Sequence, residues 1–309
     1  MSVLELGLPM TVADGELPER VTIWEVGPRD GLQNEKNIVD LAVKLEFLDR
    51  LATAGLTVIE ATSMVSPKWV PQLADAEELL ARLEQRAGVR YPVLVPNERG
   101  LARALESGVT DIAVFASATE TFAARNLNNT VDGQFAMFEP VVRQALQAGM
   151  RVRGYVSMCW GDPWEGAVDP AAVGTVGRRL LDMGCAQVSL GDTIGVATPG
   201  HVAAVLAEFP SLANIAVHFH DTYGQALSNT LAALRLGVAC VDSSAGGLGG
   251  CPYAKSATGN LATEDLVWML DGLGIEHGVE LGVLAQTSAW LAGELGRQSP
   301  SRVVRALTG

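Results

Sequence analysis

The chain of 309 residues has few charged groups, and fewer of them are cations than anions. Only 18% of its residues are charged, below the quarter typical of soluble domains, and 22 lysines and arginines stand against 35 acidic residues. The net charge of −13 disfavours nucleic acid and anionic membrane surfaces as partners. An anionic small molecule must therefore be met by a few local cations or by helix N-termini.

Cysteine is scarce, and long apolar runs are lacking. Four scattered cysteines are too few for a disulfide framework in a chain of this length, so we expect a reducing compartment. No stretch approaches 18 uninterrupted apolar residues, and we expect no membrane-spanning helix. The first twenty residues lack the basic start of a signal peptide and the arginines of a transit peptide. These features predict a cytoplasmic protein.

What the sequence does contain is a recurrent alternation of strand-like and helix-like segments. A hydrophobic content of 48% excludes disorder for the bulk of the chain. Eight short runs rich in β-branched residues begin at Val21, Thr57, Tyr91, Asp111, Arg151, Ala186, Ile215 and Val238. Their average spacing of about 31 residues is the length of one βα unit. A doubly wound sheet is disfavoured, because the turn after the first run reads GPRDGLQ and not GxGxxG.

The pattern predicts an α/β fold, a (β/α)8 TIM barrel with additional C-terminal helices. We expect a single domain over residues 1–309, with the barrel at about 21–262 and a helical appendix at about 263–309. The first helix of the appendix, TEDLVWMLDGLG, is predicted to start at a threonine cap. In such barrels the active site lies at the carboxyl ends of the strands.

Polar side chains collect at those strand ends. They are Glu25, Arg29 and Asp30 at the first strand, Glu60 in the second, Asp192 at the sixth, His218 and His220 in the seventh, and Cys251 and Asn260 after the eighth. Two of only four histidines stand two apart on one strand, so both rings point to the barrel interior. With Asp30 and Asn260 as oxygen donors and no thiolate, a metal site for Mg²⁺ or Mn²⁺ is favoured, while Zn²⁺ stays open.

Arg29 and Glu60 are predicted to pair. A glutamate inside an apolar strand needs a partner, and Arg29 on the neighbouring strand is the natural one. The pair is either purely structural or part of the chemistry, in which case a fixed cation beside the metal would stabilise an enolate. The glycine-rich segment GGLGGCPYAKSATGN is predicted to be a mobile lid that carries Cys251 as a catalytic thiol. The other cysteines, Cys159, Cys185 and Cys240, are predicted to be core residues.

At these residues the sequence resembles the 3-hydroxy-3-methylglutaryl-CoA lyase family of metal-dependent TIM-barrel lyases and condensing enzymes. The similar blocks are EVGPRDGLQNEKNIV, VIEATSMVSPKWVPQ, SLGDTIGVATPG, HFHDTYGQALSNT and GGLGGCPYAKSATGNLATEDLVWML, within about residues 21–302. The resemblance implies cleavage of 3-hydroxy-3-methylglutaryl-CoA to acetyl-CoA and acetoacetate with a divalent cation. It also implies a role in leucine degradation or ketone-body formation, and a homodimer or higher homo-oligomer.

The resemblance implies roles for particular residues. The metal ligands would be Asp30, His218, His220 and Asn260, and the catalytic groups Arg29, Glu60, Asp192, His218 and Cys251. Substrate and CoA contacts would be Arg29, Gln33, Lys36 and Asn126. The base is either Asp30 or His218. Trp160 and Asp162 depart from the small residues or cysteine that the family more often has, which leaves the acyl specificity open.

Three alternative functions remain. The first is a related lyase acting on another hydroxyacyl-CoA, such as a citramalyl- or methylmalyl-type thioester. The second is a metal-dependent hydrolase, which is disfavoured because those enzymes carry the HxH pair on the first strand and this chain carries it on the seventh. The third is a non-catalytic barrel, which would have no need for the full set of polar groups at the strand ends.

Overall fold

The computed structural model describes residues 3–250 and 259–309, and its centre is one sheet of eight parallel strands. Strand order in the sheet follows the order in the chain, from β1 next to β8 round to β2. The strands are β1 Thr22–Glu25, β2 Thr62–Ser63, β3 Val93–Leu94, β4 Asp111–Ser117, β5 Arg151–Ser157, β6 Gln187–Asp192, β7 Ile215–Phe219 and β8 Cys240–Ser243.

The sheet closes on itself beside β1. Glu25 N donates to Val58 O over 3.0 Å, and Glu60 N donates to Glu25 O over 2.8 Å, so the segment leading into β2 pairs with β1. On the other side β1 is in register with β8 from Thr22 to Glu25. The eight strand runs found in the sequence all contribute to this barrel, which confirms the predicted fold class.

Helices cover the outside of the barrel. They are α1 Leu41–Thr53, α2 Ala76–Arg82, α3 Glu98–Glu106, α4 Glu120–Leu127, α5 Val131–Gln147, α6 Pro170–Asp182, α7 Pro199–Leu206, α8 Ala226–Arg235, α9 Thr263–Leu273, α10 Leu281–Glu294 and α11 Arg302–Thr308. Among these residues no helix is long and apolar enough to cross a membrane.

Pro170 and Pro199 lie in the first turns of α6 and α7, where the missing N–H of a proline is not needed. The predicted cap of α9 is wrong. The N-cap is Ala262, and Thr263 is already helical. The hydroxyl of Thr263 instead donates to Glu25 Oε2 over 2.6 Å, so this threonine connects α9 to β1.

Successive side chains on a strand point to opposite faces of the sheet. One set packs into an outer core under the helices, and the other contributes to a small core inside the barrel. On β7, Ile215 and Val217 pack into the large cluster under the helices, whereas Ala216 belongs to a small cluster with Trp24 and Cys240. His218 and His220 continue the inward series of Ala216, as predicted. All three cysteines within the described ranges, at 159, 185 and 240, are buried, which confirms them as core residues.

Candidate active site and metal centre

Arg29 and Asp30 lie on a single π-helical turn, Gly27–Gly31, that follows β1 directly. The turn packs closely on the loop after β8. A Cβ at Gly31 would lie 2.8 Å from Leu248 Cβ and 2.8 Å from Ser244 Oγ, so only glycine allows this approach. Close packing here holds Arg29 and Asp30 at the carboxyl end of the barrel.

Asp30, His218 and His220 form one compact group. Each offers a ligand atom, and these atoms all lie within 4.8 Å of one another. Asn260 joins the group through its Nδ2, which donates to Asp30 Oδ2 over 2.9 Å. The amide needs the space left by Gly249, where a Cβ would lie 2.5 Å from Nδ2. The structure thus brings together all four residues that the sequence suggested as metal ligands.

The chemistry of this group fits a divalent cation. Burial, followed by the neighbouring His218, lowers the pKa of His220 to about 4, so its ring is neutral and able to ligate near pH 7. Burial alone would raise the pKa of Asp30, but Arg29 and the histidines lower it to about 2, so it is a carboxylate. His220 Nδ1 and Asn260 Oδ1 are buried without a hydrogen-bond partner among the described residues. Unpaired acceptors beside a carboxylate are what a bound cation satisfies.

Arg29 pairs with both neighbouring carboxylates. Its Nε donates to Glu60 Oε1 over 2.5 Å, and its Nη1 donates to Asp30 Oδ1 over 2.7 Å. Burial alone would lower the pKa of the guanidinium, but Glu60 and Asp30 raise it, so Arg29 stays charged. The predicted pairing of Arg29 with Glu60 is therefore present. Through its second hydrogen bond Arg29 also contacts Asp30, a member of the group that fits a metal.

Asp192 lies at the end of β6, in register with Phe219 on β7. Its two oxygens accept from the backbone N–H groups of Val196 and Ala197, over 2.9 Å and 3.0 Å. Burial raises the pKa of this carboxyl to about 6. These contacts hold the loop that follows β6, and a catalytic role for Asp192 stays a prediction.

A second layer of polar side chains lies beneath the site, inside the barrel. Asp242 on β8 accepts from Arg153 Nη2 over 2.6 Å and lies 3.3 Å from His218 Nδ1. Tyr155 donates to Glu60 and accepts from Arg153 Nη1 over 3.1 Å. Asp242, Arg153 and Tyr155 are not among the site residues predicted from the sequence. The signal that revealed Glu60, a charged group inside an apolar strand, is equally present at Asp242 and Arg153.

Two buried glutamates accept hydrogen bonds from the backbone of the loop after β8. Glu25 accepts from Gly27 N and Ala245 N, over 2.8 Å and 2.9 Å, and so joins the turn of Arg29 to the loop after β8. Glu264 on α9 accepts from Gly246 N over 2.9 Å and from the hydroxyl of Ser288. Burial raises the pKa of Glu25 to about 7 and that of Glu264 to about 8.

The remaining predicted residues lie around the rim or outside the described ranges. Gln33 is half-buried, while Lys36 and Asn126 are exposed on the segments that follow β1 and β4. The structure leaves their predicted contacts with CoA as predictions. Cys251 and the lid predicted around it fall in residues 251–258, outside the described part of the chain.

Trp160 and Asp162, the two residues that differ from the family pattern, both contact neighbouring segments. Trp160 is buried, its ring centroid lies 5.3 Å from that of Phe219 in a tilted pair, and its Nε1 donates to His201 O over 3.2 Å. Asp162 accepts from Thr119 Oγ1 over 2.6 Å and thereby fixes the hairpin formed by Gly161–Asp162 and Gly166–Ala167. These contacts hold the segment that follows β5 in place.

Comparison with known proteins gives consistent matches over nearly the whole chain. The HMGL-like family model matches residues 20–291. The mitochondrial hydroxymethylglutaryl-CoA lyase of Pongo abelii is 52% identical over 300 residues, which is 96% of this chain and 92% of that protein.

Two solved structures superimpose closely on this chain. The hydroxymethylglutaryl-CoA lyase of Pseudomonas aeruginosa is 50% identical with a TM-score of 0.91, covering 94% of this chain and 98% of that one. An HMG-CoA lyase from Acinetobacter baumannii, solved with coenzyme A and 3-methylmalate, is 35% identical with a TM-score of 0.89, covering 96% and 97% of the two chains.

Proposed function

The chain belongs to the HMGL-like family, and from this we propose that it is a divalent-metal-dependent lyase that cleaves 3-hydroxy-3-methylglutaryl-CoA to acetyl-CoA and acetoacetate. The observation that carries the proposal is the group of Asp30, His218 and His220, with Arg29 hydrogen-bonded to Asp30 at the mouth of the barrel. A ligand set of imidazoles and a carboxylate beside a permanent cation suits a reaction in which an alkoxide and then an enolate carry negative charge.

Asp30, His218, His220 and Asn260 would hold the cation, which we propose to be Mg²⁺ or Mn²⁺. The oxygen donors and the lack of thiolates in the described site support this choice. When bound, such an ion lowers the pKa of a substrate hydroxyl and neutralises charge on substrate oxygens. Asn260 would present Oδ1, which has no partner among the described residues, after rotation of the amide about its last torsion angle.

The residues of the site would handle the proton and the charge during the reaction. The tertiary hydroxyl loses its proton, its oxygen becomes the ketone of acetoacetate, and the electrons of the broken carbon–carbon bond pass to the thioester as an enolate. Asp30 has a pKa of about 2 and is paired with the Arg29 guanidinium, so it suits the cation better than the proton. With its Nδ1 next to Asp242, His218 has only Nε2 left for either the cation or a proton, so its role as base stays a prediction.

Arg29 would act on the departing acetyl group. Its guanidinium is held by Glu60 and Asp30, and its remaining N–H groups would donate to the enolate oxygen as charge develops there. The enolate carbon then takes a proton to give acetyl-CoA. Cys251 is the predicted donor of that proton.

The CoA part of the substrate is anionic, and the chain as a whole has a net charge of −13. Local cations must therefore receive it. We propose that Lys36, with Gln33 and Asn126, contacts CoA at the rim, and the coenzyme A complex of the Acinetobacter relative supports a CoA thioester as the substrate. A homo-oligomer, a cytoplasmic location and a role in leucine degradation or ketone-body formation stay predictions of the sequence.

The test is turnover of defined thioesters by the purified protein with Mg²⁺. We expect acetoacetate to be released from 3-hydroxy-3-methylglutaryl-CoA, and the release to stop when EDTA removes the cation and to return when Mg²⁺ or Mn²⁺ is added. Citramalyl-CoA and methylmalyl-CoA are assayed in parallel. Negligible acetoacetate release together with turnover of one of these two would contradict the proposed substrate and favour the related lyase.

A further inference from the structure

His218 is the one member of the metal group that has a carboxylate behind it among the described residues. Its Nδ1 lies 3.3 Å from Oδ2 of Asp242, on the neighbouring strand and in register with it. Asp242 is 1% exposed, so this contact is screened from water. The two residues therefore form a buried histidine–carboxylate pair directly below the mouth of the barrel.

Asp242 is kept as a carboxylate by donors on both of its oxygens. Arg153 Nη2 donates to Oδ1 over 2.6 Å, and Ser189 Oγ donates to Oδ2 over 2.8 Å. The guanidinium of Arg153 lies 3.9 Å above the ring of Trp24, which fixes its position. A buried carboxylate with such partners stays ionised and only accepts hydrogen bonds.

An acceptor at this position determines which ring nitrogen of a neutral His218 carries the proton. The contact with Asp242 requires a proton on Nδ1, and the lone pair is then on Nε2, at the opposite side of the ring. We propose that Asp242 is a positioning residue that fixes His218 as the Nδ1–H tautomer and so holds its Nε2 lone pair toward the cation site formed with Asp30 and His220. This inference rests on the metal site proposed above.

The variant Asp242→Asn reverses this arrangement while keeping the shape of the side chain. Arg153 is a donor only, so the amide oxygen must turn toward Arg153, and the amide NH₂ then faces His218 and Ser189. An NH₂ group next to Nδ1 selects the opposite tautomer, with the proton on Nε2, and removes the ligating lone pair. Loss of a histidine's carboxylate partner typically weakens metal binding about 10- to 100-fold.

Asp111→Asn is the matched control. Asp111 is also buried, and it accepts from Arg90 Nη1 over 2.8 Å and from the hydroxyl of Thr110 over 3.0 Å. It lies at the amino end of β4, opposite the site. The control therefore makes the same chemical change at a similar ion pair that has no contact with His218.

Two measurements test the inference. Long-range ¹H–¹⁵N spectra of the ¹⁵N-labelled protein report the tautomer of each of the four histidines, with His218 assigned by its loss in His218→Gln. Spectra are recorded on the alkaline side of the imidazole titration, so that the ring is neutral; we expect Nδ1–H at His218 in the wild type and in Asp111→Asn, and Nε2–H in Asp242→Asn. Titration with Mn²⁺ should give a dissociation constant about 10- to 100-fold higher for Asp242→Asn and an unchanged one for the control.

The outcomes separate this inference from the proposed function. An Nε2–H ring at His218 in the wild type would overturn the inference alone, and this spectrum needs no variant at Asp242. A folded Asp242→Asn with the Mn²⁺ affinity of the wild type would overturn it as well. If the wild type failed to bind Mn²⁺ or Mg²⁺ at all, the proposed metal site would be wrong, whatever the tautomer.

Discussion

Arg29, on the turn after β1, and Glu60, beside the start of β2, form a buried ion pair in which Nε donates to Oε1 over 2.5 Å. The other oxygen of Glu60 accepts from Trp24 Nε1 over 3.1 Å and from the hydroxyl of Tyr155. Glu60 is fully buried, so these donors give its carboxylate one orientation. The plane of the Arg29 guanidinium is fixed in turn, and catalysis by donors that are already in place depends on this kind of rigidity.

Arg29→Gln should abolish most of the activity without unfolding the protein. Loss of one preorganised donor to an oxyanion typically lowers kcat about 100- to 1,000-fold, and this change also removes the charge. The expected result is a fall in kcat of at least that size, measured by acetoacetate release at saturating substrate. Arg90→Gln, which removes the partner of Asp111 at the other end of the barrel, is the control. Near-normal turnover by Arg29→Gln would exclude the enolate-stabilising role.

The order of the strands could be predicted from the sequence because parallel barrel strands are buried on both faces. Buried runs of apolar, β-branched residues mark them, and the spacing of the runs gives the barrel. The boundaries were harder to predict. Only Thr62–Ser63 is a regular strand in the second run, while Ile59 pairs with Glu25 and Val58 with Arg90 through isolated bridges.

The residues of the site could be predicted where a polar group stands at a strand end, as with Asp30 and His220. How deep a polar side chain lies inside the barrel could not be predicted, because this depends on the tilt and stagger of the strands. Asp242 and Arg153 are 89 residues apart in the sequence, and only the closed sheet brings them within 2.6 Å. The hydrogen-bond partners of His218 therefore needed the structure.

His220→Ala should weaken binding of the divalent cation. The ring contributes one of the ligand atoms in the compact group with Asp30 and His218, and alanine offers none. We expect the dissociation constant for Mn²⁺ to rise by at least about tenfold in a titration of the purified protein. His201→Ala, at a histidine on α7 that is not a member of this group, should titrate like the wild type. If His220→Ala did so too, His220 would not be a ligand.

Lys44→Met should destabilise the fold, because Lys44 is an almost completely buried cation on α1. Its Nζ donates to both oxygens of Asp75, over 2.8 Å and 2.9 Å, and to the carbonyl of Gln72. The Gln72 side chain in turn accepts from Val39 N over 2.9 Å, which ties the segment after the Arg29 turn to the segment after β2. Removal of one partner of a buried ion pair typically costs about 3–5 kcal/mol, and the partial exposure of Asp75 reduces this to about 2–4 kcal/mol.

Urea unfolding measures this loss directly. Lys68→Met, at an exposed lysine in the segment after β2, should leave the free energy of unfolding within about 0.5 kcal/mol of the wild type. The double variant Lys44→Met with Asp75→Asn should regain part of the lost stability, because it no longer leaves an uncompensated carboxylate. Equal midpoints for Lys44→Met and Lys68→Met would show that the buried pair contributes nothing to stability.

Glu264→Gln should make the protein more stable in mildly alkaline solution. Burial raises the pKa of Glu264 from 4.5 to about 8, so the folded state holds a proton that the unfolded state has lost. The stability linked to this proton is fully present below pH 4.5 and is lost as the pH rises through about 8. At about 1.4 kcal/mol for each pKa unit, the full effect is on the order of a few kcal/mol. Glutamine keeps an acceptor for Gly246 N and Ser288 without a charge to bury.

The difference in melting temperature between Glu264→Gln and the wild type should therefore depend on pH. We expect it to be small at pH 5, where Glu264 is protonated in the folded protein, and positive and growing from pH 6 to pH 9. Glu294→Gln, a change at an exposed glutamate on α10, should show no such trend. A constant difference over the whole range would mean that Glu264 ionises in the folded protein as it does in the unfolded chain, and the contact between α9 and the loop after β8 would then be made by a carboxylate.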